Sequence, residues 1–422
     1  MSSFYHPGES GLCDRGGGGS TAPTGMVGPE AGVRAAYHGA TLTRGSDPST
    51  PMDPPRIRRT GSTIGAVMPA LRLGILGCAA AFAFLPLPRQ LVESVYSQRL
   101  YPLIRQAVTA VTRHADMPLF DILLVGGSLT LSAWWVLSLL RARRGRRVRE
   151  LVRVVGLTAV LAAALYLTFL ATWGLNYRRE ALATRLGYSA TRVTTVEIES
   201  LALVAIQHLN RAYDESEHAT WPQLSELPTS LGQAFARAQR RLGVSPVMAG
   251  LVPQRSLLTP YFRRAGIDGM VDPFFLQVLL NDGVLPFERP FVTAHEWAHV
   301  AGFAHESEAN FVAWLTCLEG DERMRYAGWS FLVPRLVAAL PADRQSALWA
   351  GVGSGPLADF AAVRARLSRT IPVVRQSARR VNDQYLRANR VASGIGSYGE
   401  VLQLAVGTDL GRAQWLVRPT GE

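Results

Sequence analysis

The chain of 422 residues contains no lysine; all 44 of its strongly basic residues are arginine. That absence excludes a P-loop lysine, a pyridoxal Schiff base and a lysine general base. Cysteine is almost missing as well. Cys13, Cys78 and Cys317 lie far apart, so neither a disulfide framework nor a cysteine metal site is expected. Charge is sparse, at 18% of residues against 48% hydrophobic, which is apolar for a water-soluble protein. Membrane spans are therefore the first thing to seek.

What charge there is has a sign and a place. The net formal charge is +12 and the pI about 10.2. Residues 1–190 carry +11 of it, and residues 191–422 only +1. The stretch 141-RARRGRRVRELVR-153 alone holds seven arginines and one glutamate. A basic excess gathered in one short loop reads as a topology signal attracted to the inner leaflet, not as a nucleic-acid surface.

Residues 1–62 form a Gly/Pro-rich leader, too poor in large apolar residues to offset its ordering entropy, and are expected to be a disordered cytoplasmic tail. No apolar core of the signal-peptide kind lies within its first thirty residues. Three apolar stretches follow, at about 67–87, 118–140 and 154–175, each near the roughly 20 residues that cross about 30 Å of hydrocarbon. Arg72 and Asp121 stand near span ends, where they are expected to snorkel. Trp134, Trp135 and Trp173 lie toward span ends, where amphipathic rings prefer to sit. The basic loop 141–153 places its own side in the cytoplasm. Segment 88–117 is then an outer loop, although Arg89, Arg99, Arg105 and Arg113 blur the asymmetry, and everything after Asn176 is extracytoplasmic.

From 191 the pattern is that of a mostly helical soluble domain. Apolar positions at helical spacing run through 193–216, a capping-type Thr229 and a terminal glycine frame 229–243, and helices resume from about 290 to 393. Segment 256–287, with Gly266 and Gly269, reads as short strands and turns. The stretch 267–280 is a candidate edge strand for holding extended peptide, or equally a core strand.

The chemistry is concentrated in 292-VTAHEWAHVAGFAHESEANFVAWLTCLEG-320. On a helix His295 and His299 share one face a turn apart, as two ligands of a tetrahedral Zn²⁺ require. Glu296 is then close enough to a metal-bound water to act as general base without ligating. Two histidines and a glutamate on an otherwise apolar helix would be costly to bury unpaired. Gly302 is a natural helix stop that lets the chain turn back. His305 completes HExxHxxGxxH, a metzincin spacing, but the only later methionine, Met324, lies in a charged helical context unlike a Met-turn. The alternative third ligand is Glu306. With Asn310 it forms ExxxN, resembling the ExxxD of glutamate-ligated zincins, in which the later polar residue steadies a histidine. Glu308 is the fallback if the second helix is rotated. Tyr326 is a candidate oxyanion donor, with a buried structural tyrosine as the alternative. Arg325 is read as a solvated helix arginine in preference to a carboxylate binder.

These residues carry a resemblance. The segments 172-TWGLNY-177, 295-HEWAH-299, 302-GFAHESEANF-311, 325-RYAGW-329 and 382-NDQYLRANRVASGIGSY-398 make the chain similar, over roughly 70–410, to a bacterial multi-pass membrane family catalogued as domain of unknown function 3810, which looks zincin-like. The resemblance implies a glutamate ligand and reduces the metzincin spacing at His305 to coincidence. It names no substrate. Asn382 to Tyr398 has no chemistry that the sequence reveals, and turn formation explains its Asn-Asp and glycines.

The expected protein is thus α-helical, with three transmembrane helices in residues 63–176. A mostly α (α+β) zincin-like domain, 177–422, follows outside the bacterial inner membrane. Its expected cofactor is Zn²⁺, bound by His295, His299 and Glu306, and its expected partners are the lipid bilayer and a peptide or envelope protein substrate, with no nucleic acid. The expected activity is that of a gluzincin-type metallopeptidase. The competing expectation is a non-proteolytic sensor or scaffold with a structural zinc.

Overall fold

The computed structural model describes residues 61–216, 219–391, 394 and 400–414, with side chains from residue 68. The Gly/Pro-rich leader lies outside the described residues, apart from its last two positions. The architecture is mostly helical, with one two-stranded sheet.

Four helices make up the apolar half: α1 Gly61–Phe84, α2 Arg89–Thr112, α3 Leu119–Arg141 and α4 Arg144–Thr172. α3 and α4 are long and apolar enough to cross a membrane. α1 qualifies as part of a pair with α2, from which it is bent by 115° across a break rich in proline. Trp135 Nε1 donates to Thr158 Oγ1 at 3.0 Å and ties α3 to α4. The basic stretch 141–153 is mostly wound into the start of α4: Arg144–Arg146 form a 3₁₀ turn and the α-helix proper begins at Arg147.

Segment 88–117 departs from the expected loop. It is α2, nine residues of which (Val92–Leu100) run as a π-helix, and it packs against the domain that follows α4. The arginines that blurred the charge asymmetry are thereby explained in part. Arg105 is buried and donates to the Pro246 carbonyl at 2.9 Å. Asp121 does not snorkel either. It is buried, and its two oxygens accept from Ser256 Oγ and Leu257 N, both at 2.7 Å. It anchors the start of α3 to the domain.

The domain contains α5 Thr195–Ser216, α6 Leu227–Arg241, α7 Thr259–Ala265, β1 Gly269–Val271, β2 Val278–Leu280, α8 Arg289–Val300, α9 Glu306–Leu318, α10 Glu322–Ala338, α11 Ala342–Ala350, α12 Ser354–Leu367 and α13 Pro372–Ala388. α5 and α6 lie within two residues of their expected starts and ends. The 256–287 region differs: Tyr261 and Phe262 belong to α7, which stops at Gly266 in the left-handed conformation (φ 70°) that favours glycine. β1 and β2 are antiparallel, with Met270 opposite Leu279. α8, α9 and α10 pack as consecutive neighbours, filled by Trp297, Phe303, Phe311 and Trp314, all fully buried. From Arg72 onward the described residues form one compact unit, so the apolar helices and the domain are not separate bodies.

Candidate metal centre

α8 ends in a Schellman turn. Gly302 has φ 99°, Gly302 N donates to His299 O, and Phe303 N donates to Ala298 O, each at 3.0 Å. The chain reverses there and enters α9 at Glu306. This reversal brings Glu306 over the face of α8 that carries both histidines. Glu306 Oε2 lies 3.2 Å from His295 Nε2 and 3.5 Å from His299 Nε2. One ligand-type atom from each residue falls within 4.8 Å of the others, and among the described residues this is the one such group of His, Cys, Asp or Glu.

The surroundings suit a cation. All three side chains are buried, and Glu306 Oε2 makes no hydrogen bond. A buried carboxylate oxygen aimed between two imidazole nitrogens is costly unless something positive sits there. His299 Nδ1 lies 2.8 Å from the Phe303 carbonyl. A carbonyl only accepts, so that contact places the ring proton on Nδ1 and leaves Nε2 as the free lone pair. Burial alone would push Glu306 up, but the two imidazoles outweigh it and hold the carboxyl well below its ordinary range. His299 shows the converse: burial opposes its charge, yet Glu306 holds it above the usual value. His295 is pushed down, chiefly by burial.

Glu296 lies on the same helix turn, buried under β1. A Cβ at Gly269 would stand 2.6 Å from Glu296 Oε1, so a larger residue there would displace the Glu296 carboxylate. β1 is held by its neighbour: buried Asp268 accepts from Arg366 Nη1 at 2.6 Å, and Arg366 Nη2 donates to Glu288 at 2.9 Å.

The remaining candidates fall elsewhere. His305 stands just before α9 without making a side-chain cap; its ring meets Tyr177 at 5.9 Å between centroids and lines a separate cavity of about 450 Å³. Glu308 accepts from Leu182 N at 2.6 Å and serves as a backbone cap. Asn310 is buried, but neither amide atom is hydrogen-bonded, so the expected support of a histidine is not made. Tyr326 donates to Asp359 Oδ2 at 2.5 Å within a ring cluster of Tyr213, Trp221 and Phe287. Burial pushes its phenol up, and its contacts are those of a structural tyrosine, not a donor at the triad. Arg325 pairs with Glu322 on the surface of α10.

Sequence reasoning missed two contributors. Tyr385, on α13, meets Tyr177 at 5.9 Å and Phe169 at 6.2 Å between ring centroids. It is hydrogen-bonded to Tyr177 and lies within electrostatic reach of Glu306. Its segment stood out only through the resemblance; residues 392–393 and 395–398 of that segment lie outside the described residues. The second contributor is a set of caps. Trp173 Nε1 donates to His299 O at 2.8 Å, Tyr101 Oη to Val300 O at 2.6 Å, and Arg179 Nη1 to Gly302 O at 2.9 Å. The Val300 and Gly302 carbonyls are thus met by side chains from α2 and from just past α4, and His299 O, which also takes Gly302 N, gains a further donor.

The family described as protein of unknown function DUF3810 matches residues 96–406, and the chain belongs to it. No curated protein and no solved structure matches the chain.

Proposed function

With membership of that family as the premise, we propose that the chain is a membrane-anchored, zinc-dependent metallopeptidase of gluzincin type, with a zincin-like catalytic domain. The observation that carries this reading is the convergence of His295 Nε2, His299 Nε2 and Glu306 Oε2 within 4.8 Å. Two imidazoles and a carboxylate are a ligand set of catalytic zinc sites. When bound, the zinc ion supplies a Lewis acid that acidifies water and polarises a carbonyl. Glu296, one residue along from a ligand, takes a proton from the attacking water and returns it to the leaving amine. His299 keeps its Nε2 presented through the Nδ1 contact with Phe303.

By the positive-inside rule, the arginines of 141–153 put this domain outside the bacterial inner membrane. Its substrate is then a peptide or an envelope protein. A second reading, a non-proteolytic sensor or scaffold with structural zinc, draws on the triad's burial, at most 5% exposed for any member.

The test uses the full chain in nanodiscs. Metal analysis should give about one zinc per chain, lost in His295→Ala. Glu296→Gln should keep the metal while cutting peptide turnover by about 10²–10⁴-fold, and should trap substrate. No zinc in the wild type sinks both readings. Zinc without cleavage of any peptide or envelope protein leaves the scaffold reading standing.

A further inference from the structure

α2 turns a hydrogen-bonded face to the domain and leaves a row of Leu and Val outside. The inner face packs Val92, Tyr96 and Tyr101 into the core and is pinned there by polar contacts. Glu93 accepts from Arg179 Nε and Nη2, both at 2.7 Å, and Ser97 donates to Asn176 Oδ1 at 3.1 Å. Tyr96 donates to Ala171 O at 3.0 Å, Tyr101 to Val300 O, and Arg105 to Pro246 O. The outward surface carries an apolar row flanked by the exposed Gln90, Ser94, Gln98, Arg99 and Gln106. Leu91, Val95, Leu100, Leu103 and Val111 each expose about half of their surface or more. After the π-helical segment, Leu100, Leu103, Ala107 and Val111 fall on one stripe at helical spacing. α5, a domain helix of similar length, does the reverse and buries Leu201, Ile206 and Leu209.

We propose that α2 lies along the bilayer surface on the side of the metal-centre domain, with its Leu/Val stripe in the lipid and its opposite face gripping that domain. The occupant of the exposed stripe is lipid for three reasons. α2 joins the end of α1 to the start of α3 through short breaks, so both of its ends are fixed at the ends of apolar helices. The chain bends by 115° on leaving α1, which carries a membrane-normal helix into a direction close to the membrane plane. Three exposed arginines, Arg89, Arg99 and Arg113, lie along it where phosphate headgroups would meet them. A crossing orientation is disfavoured because Glu93 and Arg105 would then lie within the hydrocarbon slab. The inference does not depend on any metal. It does set the site's place: the helix that grips Val300 O also rests on lipid, so the triad is held at the membrane surface.

Depth measurement tests it. Cys13 and Cys78 are replaced by serine; Cys317 is fully buried and stays. Single cysteines at Leu91, Val95, Leu103 and Val111 carry nitroxides in the full chain, reconstituted in nanodiscs of mixed neutral and anionic lipid. Near-UV circular dichroism confirms that each labelled protein keeps its packing. A label at Ser94 is the second measurement, because that position is already exposed and polar. The expected result is that the four apolar positions are accessible to oxygen, shielded from a water-soluble nickel relaxant, and at one common depth, about 5–10 Å into the headgroup–acyl boundary. Ser94 should be markedly more open to nickel. Depth that climbs steadily from 91 to 111 makes α2 a crossing or re-entrant helix and overturns the proposal. So does full nickel access at all four positions, which leaves the stripe in water. So does shielding from both relaxants, which puts a second protein copy on it.

Discussion

α3 and α8 are both poor in charge, yet their surroundings are opposite. In α3 none of the most apolar 18-residue window is buried within the protein. In α8 every residue after Arg289 is buried, including two histidines and a glutamate. What separates them is length, 23 residues against 12, and where their ionisable groups lie. The short helix carries His295, Glu296 and His299 in its buried second half, where they need partners, and the long one carries such groups only near its ends, in Asp121 and Arg141. Apolar composition therefore states that a helix avoids water, while length and the fate of its few polar atoms state what replaces water.

The largest way to break this contrast is to put a carboxylate in each region. Leu209→Asp, in the fully buried core of α5, should cost at least about 4 kcal/mol and leave no folded domain by size-exclusion chromatography. Leu129→Asp, near the middle of α3 and two-thirds exposed, should cost about 3 kcal/mol in a membrane-insertion assay. The same change should be harmless if α3 faces water, so unaltered insertion would remove α3 from the membrane. A third experiment probes the seam. Asp121→Ala removes the acceptor of Ser256 Oγ and Leu257 N and should lower stability by about 2 kcal/mol, read as a lower melting temperature in nanodiscs. Asp121→Asn, which keeps an acceptor oxygen, should recover part of that loss. The smallest effect is Tyr101→Phe, which removes one cap from α8 for about 1 kcal/mol. An unchanged melting temperature there would mean that α2 and α8 are not coupled.

The site was the more legible part of the sequence. His295 and His299 are local, four residues apart on one helix, and Glu306 follows after a turn that Gly302 dictates. Short-range geometry sufficed. Three other residues were misread because their partners are distant in the chain. Asp121 looked like a snorkelling charge, but its partners are 135 and 136 residues away. Tyr326 has the right chemistry for an oxyanion donor, yet Asp359 takes its hydroxyl. Glu308 is engaged by Leu182 N, 126 residues earlier. The long apolar helices α3 and α4 were legible because hydropathy is a property of each helix alone. α2 reads as a loop because Glu93, Ser97 and Arg105, which look solvent-facing, are buried.

The caps on α8 decide what can be cut from this protein. Removing everything before residue 177 would take away Trp173 and Tyr101, and with them two of the side chains that satisfy the carboxyl end of the histidine helix. It would also strand Arg179 without Glu93. The fragment left would have the Val300 carbonyl bare, next to His299. The apolar helices and the domain therefore belong together in any preparation, and a truncation at residue 177 is the wrong starting material for biochemistry.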